Sequence, residues 1–431
     1  MVERVGGESM VARHTFWNIS SGLKISLYVF ASFAICIFLY GFYRRYRLWK
    51  QGRKVKVKWE DVRDNIKIFL TMTVKQEKIK RDKFFGLMHR FTSYGFVILF
   101  IGTCLVVVDY DFHIPILRGN FYLFYELFLD VFGVLFIAGL LMAIWIRSKK
   151  KRPRLKNGFA DNAFLWLLVF IGIGGFMVEG IRIAETKVEY GGWSPVGYAL
   201  AKLFQNNQGL SGLYGVFWFS HALLAFLLIA LIPYTKLFHI IMAPINIFFQ
   251  PIHRTGMLRN PEYEMKKTGQ IVTDLNNIQS VTKIKDFTTW QLLSTDACTE
   301  CGRCDSQCPA NISGKPLSPR SIVLKIRDNM AKEREVASFI SAEELQSCTT
   351  CSACVEACPV AINHVDLIMS MRRGLISESV MGKQVENMLL NVEEQQNIWG
   401  KPWSERSRWS EGLQVPQLDR EDNEVIQEEI I

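Results

Sequence analysis

Five stretches of this chain, about residues 25–43, 84–108, 121–146, 161–183 and 214–242, are apolar over the roughly 20 residues that a helix needs to cross a bilayer. Backbone in lipid must satisfy its own N–H and C=O groups, so each stretch is expected to be a helix and the whole an all-α membrane bundle. Composition agrees: 49% of the 431 residues are hydrophobic and 13% aromatic, too apolar for an ordinary soluble protein of this length. The first stretch starts late, is long, and has its basic residues after the apolar core. It therefore reads as a retained span and not as a cleaved secretory leader.

Charge sets the orientation. YRRYRLWKQGRKVKVK follows the first span and RSKKKRPRLK the third, whereas the loops 109–120 and 184–213 carry only Arg118, Lys187 and Lys202 as basic residues. The positive-inside rule then puts the N-terminus outside the cell (inner, cytoplasmic) membrane and residues 252–431 in the cytoplasm. The formal charge of +10 is explained by this asymmetry, and nucleic acid is not expected as a partner. Loop 45–83 contains DVRDNIKIFLTMTV, helical by pattern and expected along the inner surface. GWSPVGYALAKLFQ in the outer loop reads as a short helix, either amphipathic at the interface or simply packed. Pro244 and Pro251 are expected to end the last helix. The domains follow: 1–250 a five-span bundle, 251–290 a linker, 291–410 a mostly helical soluble domain, and 411–431 an acidic tail, either a solvated end or a docking arm.

The soluble domain holds CTECGRCDSQCP from Cys298 and CTTCSACVEACP from Cys348, each C-x2-C-x2-C-x3-C-P, which together use eight of the ten cysteines. A zinc site needs two C-x2-C pairs and no terminal Cys-Pro, so two quartets point to two 4Fe–4S clusters. In this pattern three cysteines serve one cube and the fourth reaches the neighbour. Cys298, Cys301, Cys304 and Cys358 are assigned to one cluster, and Cys348, Cys351, Cys354 and Cys308 to the other. Cys36 and Cys104, in apolar runs, read as small residues of packed helices.

Three of the seven histidines, His89, His221 and His239, fall in spans, where an ionisable side chain marks function. His89 enters the second span and His239 leaves the fifth on the same side, as axial ligands of a haem b must. His221 precedes His239 by eighteen residues, which on one straight helix means one face and about 27 Å of rise. The second span has no histidine level with His221. His113 at its outer end is one candidate partner, giving a second haem; a quinone carbonyl hydrogen-bonded by His221 is the other. His14, His253 and His364 read as surface or packing residues, with His253 also able to line the cytoplasmic end of a site.

LMHRFTSYGF, IPILRGNFYLFYELFLD and FWFSHALLAFLLIALIPYTKLFH resemble the γ-subunit of respiratory nitrate reductase and the cytochrome b subunit of membrane-bound heterodisulfide reductase. The resemblance implies His239 as proximal and His221 as distal haem ligand; the missing second histidine of the second span departs from that pattern. DFTTWQLLSTDACTECGRCDSQCPANISGKPLSPRSIVLKIRD and LQSCTTCSACVEACPVAINHVDLIMSMRRG look like the iron–sulfur part of fused membrane oxidoreductases that link electron-transfer flavoprotein to menaquinone. Together these segments cover most of residues 84–410. In the fused proteins a cysteine-rich CCG domain follows the cubanes, and this chain ends at EVIQEEII without one, so a separate CCG-domain iron–sulfur subunit is expected as partner. No nucleophile constellation, Walker loop or dinucleotide fingerprint is present, and GIGG and GGFMVEG read as helix-packing glycines. The expectation is a quinone-linked oxidoreductase subunit that carries electrons between a cytoplasmic donor, with electron-transfer flavoprotein the candidate, and membrane menaquinone through two clusters and one or two haems b. An electron conduit without its own quinone site and a redox-sensing membrane anchor are the alternatives.

Overall fold

The computed structural model describes residues 4–5, 8–9, 11–13, 15–54, 59–149, 158–204, 210–250, 280–377, 383–405 and 407–413. His14, His253, most of the 251–290 linker and nearly all of the acidic tail lie outside them. The five expected spans are helices: α1 Ser21–Lys50, α3 Lys83–Tyr110, α4 Gly119–Ser148, α5 Phe159–Thr186 and α7 Leu210–Leu231. Side-chain caps start two of them. Ser20 Oγ accepts from the Leu23 N–H at 3.3 Å and Asp82 Oδ1 from the Phe85 N–H at 3.3 Å, satisfying amides that a helix start leaves unpaired. The described β structure is a two-residue hairpin, Arg4–Val5 with Glu8–Ser9, so the expected all-α class holds.

α3 packs on α4, α4 on α5, α5 on α7 and α7 on α1, a row in which α3 and α7 share no broad interface. Phe136, Leu140, Leu168, Val169 and Leu228 fill the centre of α4, α5 and α7. Cys36 and Cys104 are exposed on α1 and α3. The outer-loop helix α6, Pro195–Phe204, packs against α5, with Ala201 fully buried. Asp130 of α4 accepts from the Val196 and Gly197 N–H groups at the start of α6, at 2.9 and 3.4 Å.

The fifth span is not the continuous helix of the spacing argument. Pro233 lacks an N–H and its ring clashes with the carbonyl one turn back, so α7 stops at Leu231. Two 3₁₀ turns, Ile232–Tyr234 and Lys236–Phe238, carry the chain to a separate helix α8, His239–Phe249. His221 and His239 are therefore on two helices, and the straight 27 Å face does not apply. Pro244 sits inside α8, which runs on to Phe249, so it does not end the helix. The cytoplasmic-loop helix α2, Trp59–Phe69, packs on α8, where Asn65 Nδ2 donates to the Gln250 carbonyl at 2.6 Å.

The soluble domain is built on α9 Thr289–Asp296, α10 Pro319–Asn329 and α11 His364–Ser377. It does not hang free. One buried core joins Trp49, Phe238 and Met242 of the membrane part to Phe287, Leu292, Ile322 and Ile368 of the soluble part. At its edge Trp49 Nε1 donates to Asp296 Oδ2 at 2.7 Å, and Arg45 pairs with Asp296 Oδ1 at 3.5 Å. Asn246 Nδ2 donates to the Val360 carbonyl at 2.7 Å, just past the second quartet. Lys236 Nζ lies 3.0 Å from both Asp161 of α5 and Glu300 between the first two cysteines, which ties three elements together.

Asp296 is 5% exposed and is the acceptor for both α1 groups. Asp296→Ala is expected to lower stability by about 2–4 kcal/mol, because it strands a buried indole N–H and a guanidinium. A thermal melt of the detergent-solubilised protein checks this; an unchanged midpoint would mean that α1 docking does not depend on the contact.

Candidate redox site

The two quartets fold alike. Positive φ recurs at matching places, Glu300 (57°) and Gly302 (70°) in the first, Thr350 (53°) and Ser352 (61°) in the second. These left-handed residues turn each chain sharply enough to aim successive thiols inward. Cys308 and Cys358 are both extended, with φ of −80° and −76° and ψ of 117°, as residues before proline must be.

Cys298, Cys301, Cys304 and Cys358 line one cavity that opens to solvent. Cys348, Cys351, Cys354 and Cys308 are mutual electrostatic neighbours in a second group. The structure thus brings the cysteines together in the crossed sets of the spacing argument. Among the described residues, no three His, Cys, Asp or Glu side chains are close enough to hold a single metal ion. Wide four-thiol groups fit a multi-iron cofactor better than a lone zinc. Burial pushes the Cys298 thiol up to about 12 and the Cys358 thiol up to about 11, and raises that of Cys304 further. Iron supplies the positive charge that buried thiolates lack. Backbone N–H groups of Thr350 and Ile362 already point at the sulfurs of Cys348 and Cys358, each at 3.4 Å.

His364, expected as a surface or packing residue, is 2% exposed and lines the first cavity. Arg303, between Cys301 and Cys304, donates to the carbonyls of Lys78 and Ile79 at 2.8 and 3.4 Å. It is also an electrostatic neighbour of His89, as is His239. The start of α3, the start of α8 and the first quartet therefore converge.

Both histidines at that point are held by Nδ1. His89 Nδ1 is 3.0 Å from Gln76 Oε1, and His239 Nδ1 is 2.6 Å from the Lys236 carbonyl. Carbonyl oxygens only accept, so Nδ1 carries the proton and Nε2 keeps a free lone pair, the tautomer that binds a metal. This donor set fits two axial imidazoles of one haem. Gln76 is in the left-handed region at φ 54°, 4% exposed, and its Nε2 donates to Ser93 Oγ at 2.8 Å. For a haem held by His89 and His239, Gln76→Leu is expected to leave haem content largely intact while shifting its reduction potential and α-band, since loss of an imidazole's orienting hydrogen bond changes ligand basicity. A redox titration followed optically checks this.

His113 is exposed at φ 56°, with Nδ1 3.2 Å from the Asp111 carbonyl of its own loop. His221 lies against α5: a Cβ on Gly174 would stand 3.2 Å from its Nδ1, a contact tight enough that the ring would have to give by a few tenths of an ångström. That buried Nδ1 has no hydrogen bond of ordinary geometry.

Toward the end of α4 and α5 remote from the soluble domain lies a group not singled out from the sequence. Arg182 Nη2 donates to Glu126 Oε2 at 3.1 Å and to Glu179 Oε1 at 2.6 Å, deep between the helices. The available signal was three ionisable residues inside apolar runs.

With this geometry, two comparisons bear on the whole chain. Residues 114–255 match the family "Nitrate reductase gamma subunit" and residues 297–362 the family "4Fe-4S dicluster domain". The chain joins a nitrate reductase gamma-type membrane segment to a 4Fe–4S dicluster domain. The gamma-type match includes His221 and His239, and the dicluster match contains all eight quartet cysteines; His89 precedes both. The soluble domain therefore carries 4Fe–4S clusters.

Three curated relatives align along most of the chain. The chain is 27% identical to the EtfAB:quinone oxidoreductase of Syntrophomonas wolfei, over 89% of its own length and 59% of the relative's. It is 26% identical to the probable iron-sulfur-binding oxidoreductase FadF of Bacillus subtilis, over 88% and 60%. With a probable membrane-anchored ferredoxin of Chromohalobacter salexigens it shares 30% identity, over 94% and 61%. It thus spans about 60% of the length of the curated relatives it matches. No solved structure matches it.

Proposed function

We propose that this chain is the membrane subunit of a quinone-linked oxidoreductase, carrying electrons between a cytoplasmic donor and menaquinone. The observation that carries the reading is the convergence of the first quartet, Arg303, His89 and His239 at one face of the bundle. Cys298, Cys301, Cys304 and Cys358 would hold one 4Fe–4S cluster, Cys348, Cys351, Cys354 and Cys308 the other, and His89 and His239 a haem b. When bound, these groups supply one-electron redox chemistry at successive depths. The chain's own part is positional: α1, α8 and the Lys236 bridge fix the cluster domain on the bundle, and Gln76 and the Lys236 carbonyl aim the imidazoles.

The donor is proposed to be electron-transfer flavoprotein, acting through a CCG-domain iron–sulfur subunit that docks on the cluster domain. The relative's name, EtfAB:quinone oxidoreductase, supports the flavoprotein and the quinone. The bundle is placed in the cell (cytoplasmic) membrane with the cluster domain inside, on the charge asymmetry of its loops. A second haem stays part of the proposal, with His113 and His221 as its candidate ligands. The test is purification of the tagged chain in mild detergent with identification of what accompanies it. Copurification of a CCG-domain subunit, with haem reduced by reduced flavoprotein, is expected; a fully loaded chain that isolates alone and oxidises menaquinol unaided would refute the partner assignment.

A further inference from the structure

The Glu126, Glu179 and Arg182 group has a geometry that a plain ion pair does not need. Arg182 is 4% exposed at its side chain, and Glu126 6%. Its Nη2 and the Ser194 hydroxyl each reach both carboxyl groups, Ser194 Oγ donating to Glu126 Oε2 at 2.9 Å and to Glu179 Oε1 at 3.5 Å. Sharing these two donors sets the two carboxyls side by side. Two ionised carboxylates so placed repel, and a single proton between them turns the repulsion into a hydrogen bond.

One donor here is spare. The Tyr122 hydroxyl is fully buried with no hydrogen-bond partner among the described residues, while the Arg182 guanidinium also has Tyr190 within hydrogen-bonding reach. The hydroxyl offers a place for a water or a ligand oxygen beside the carboxyl pair.

The site's location gives the proton a use. Asp161, near the start of α5, is tied through Lys236 to the cluster domain, so Glu179 and Arg182 are at the far end of that helix. Arg182 follows Gly174, which touches His221, by eight residues, or about 12 Å of helix rise. Tyr214, seven residues before His221 on α7 and 3% exposed, faces the same charges. Among the described residues, the charged and titratable groups around the pair are Tyr122, Tyr125 and Asp130 on α4, Arg182 on α5, Tyr190 before α6, Tyr214 on α7, and Arg13 from the N-terminal segment. Arg13 stands 3.7 Å from Glu126 and is 25% exposed, and Glu179 is itself 21% exposed, so the pair meets water through both.

We propose that Glu126 and Glu179 hold one exchangeable proton between them and pass it to, or take it from, a quinone reacting at the end of the bundle opposite the clusters. Reduction of a quinone needs two electrons, which the clusters and haem of the proposed function would supply one at a time, and two protons. For each O–H bond formed on the quinone, one carboxyl O–H bond breaks, and the pair regains its proton from water beside Arg13 and Glu179 before the next transfer. Oxidation runs the same steps backward. The proposal rests on the quinone-linked reading above, and it adds where the protons are exchanged.

The test uses the cofactor-loaded protein in lipid nanodiscs, by infrared difference spectroscopy. The wild type is expected to show a protonated-carboxyl C=O stretch that shifts in heavy water and changes on dithionite reduction. Glu126→Gln and Glu179→Gln should each abolish that band, and Asp130→Asn should keep it. Absence of the band in folded wild type, indifference to reduction, or survival of the band in both glutamine variants overturns the proposal. The wild-type measurement decides where a variant does not assemble. A band that responds to dithionite in protein that menadione does not reoxidise supports the proton site and refutes only the quinone reading.

Discussion

Cys358→Ala is expected to abolish the same iron–sulfur signal as Cys298→Ala, although the two residues belong to different motifs. Cys358 sits with Cys298, Cys301 and Cys304 around one cavity, and Cys308 with the other three. Each single substitution should cost about four of roughly eight cluster irons per chain, and the double variant should cost no more than either alone. Cys308→Ala should instead match Cys348→Ala. Electron paramagnetic resonance of the dithionite-reduced protein, with iron counting, reads this out. A Cys358→Ala protein that loses the Cys348 signal would show that each motif serves its own cluster.

His89→Ala and His239→Ala are each expected to remove one and the same haem, because an axial imidazole lost from either side leaves the iron with one protein ligand. His221→Ala should leave that haem in place. The reason is no longer a straight helix: His239 starts α8 beyond the Pro233 break, and His221 lies on α7 against Gly174. Pyridine haemochrome content and the low-spin optical spectrum distinguish the three variants. Loss of the haem in His221→Ala alone, with His89→Ala still fully loaded, would refute the pairing.

The quartets are legible in sequence because their chemistry is local: ligand spacing and Cys-Pro fix the turns without help from distant residues. The spans are legible because lipid imposes helix and length. The histidine geometry is only half legible. Spacing along the chain assumes an unbroken helix, and the proline in LIPYTK, which argues against one, has its effect on direction set by packing against Trp49 and Phe42. Gln76 carries no signal at all, since a left-handed glutamine beneath a histidine thirteen residues away is chosen by tertiary contact. The docking of the cluster domain is equally hidden, because Asp296 and Trp49 are 247 residues apart in the chain.

Stopped-flow spectroscopy of the prereduced, cofactor-loaded protein in nanodiscs, mixed with menadione, bears most directly on the chain as a conductor from clusters to quinone. Reoxidation of the clusters is expected to follow that of the haem, and His239→Ala should slow cluster reoxidation by at least about tenfold, equivalent to about 1.4 kcal/mol of added barrier. Clusters that reoxidise at the wild-type rate without that haem, or a haem that menadione leaves reduced, would contradict it.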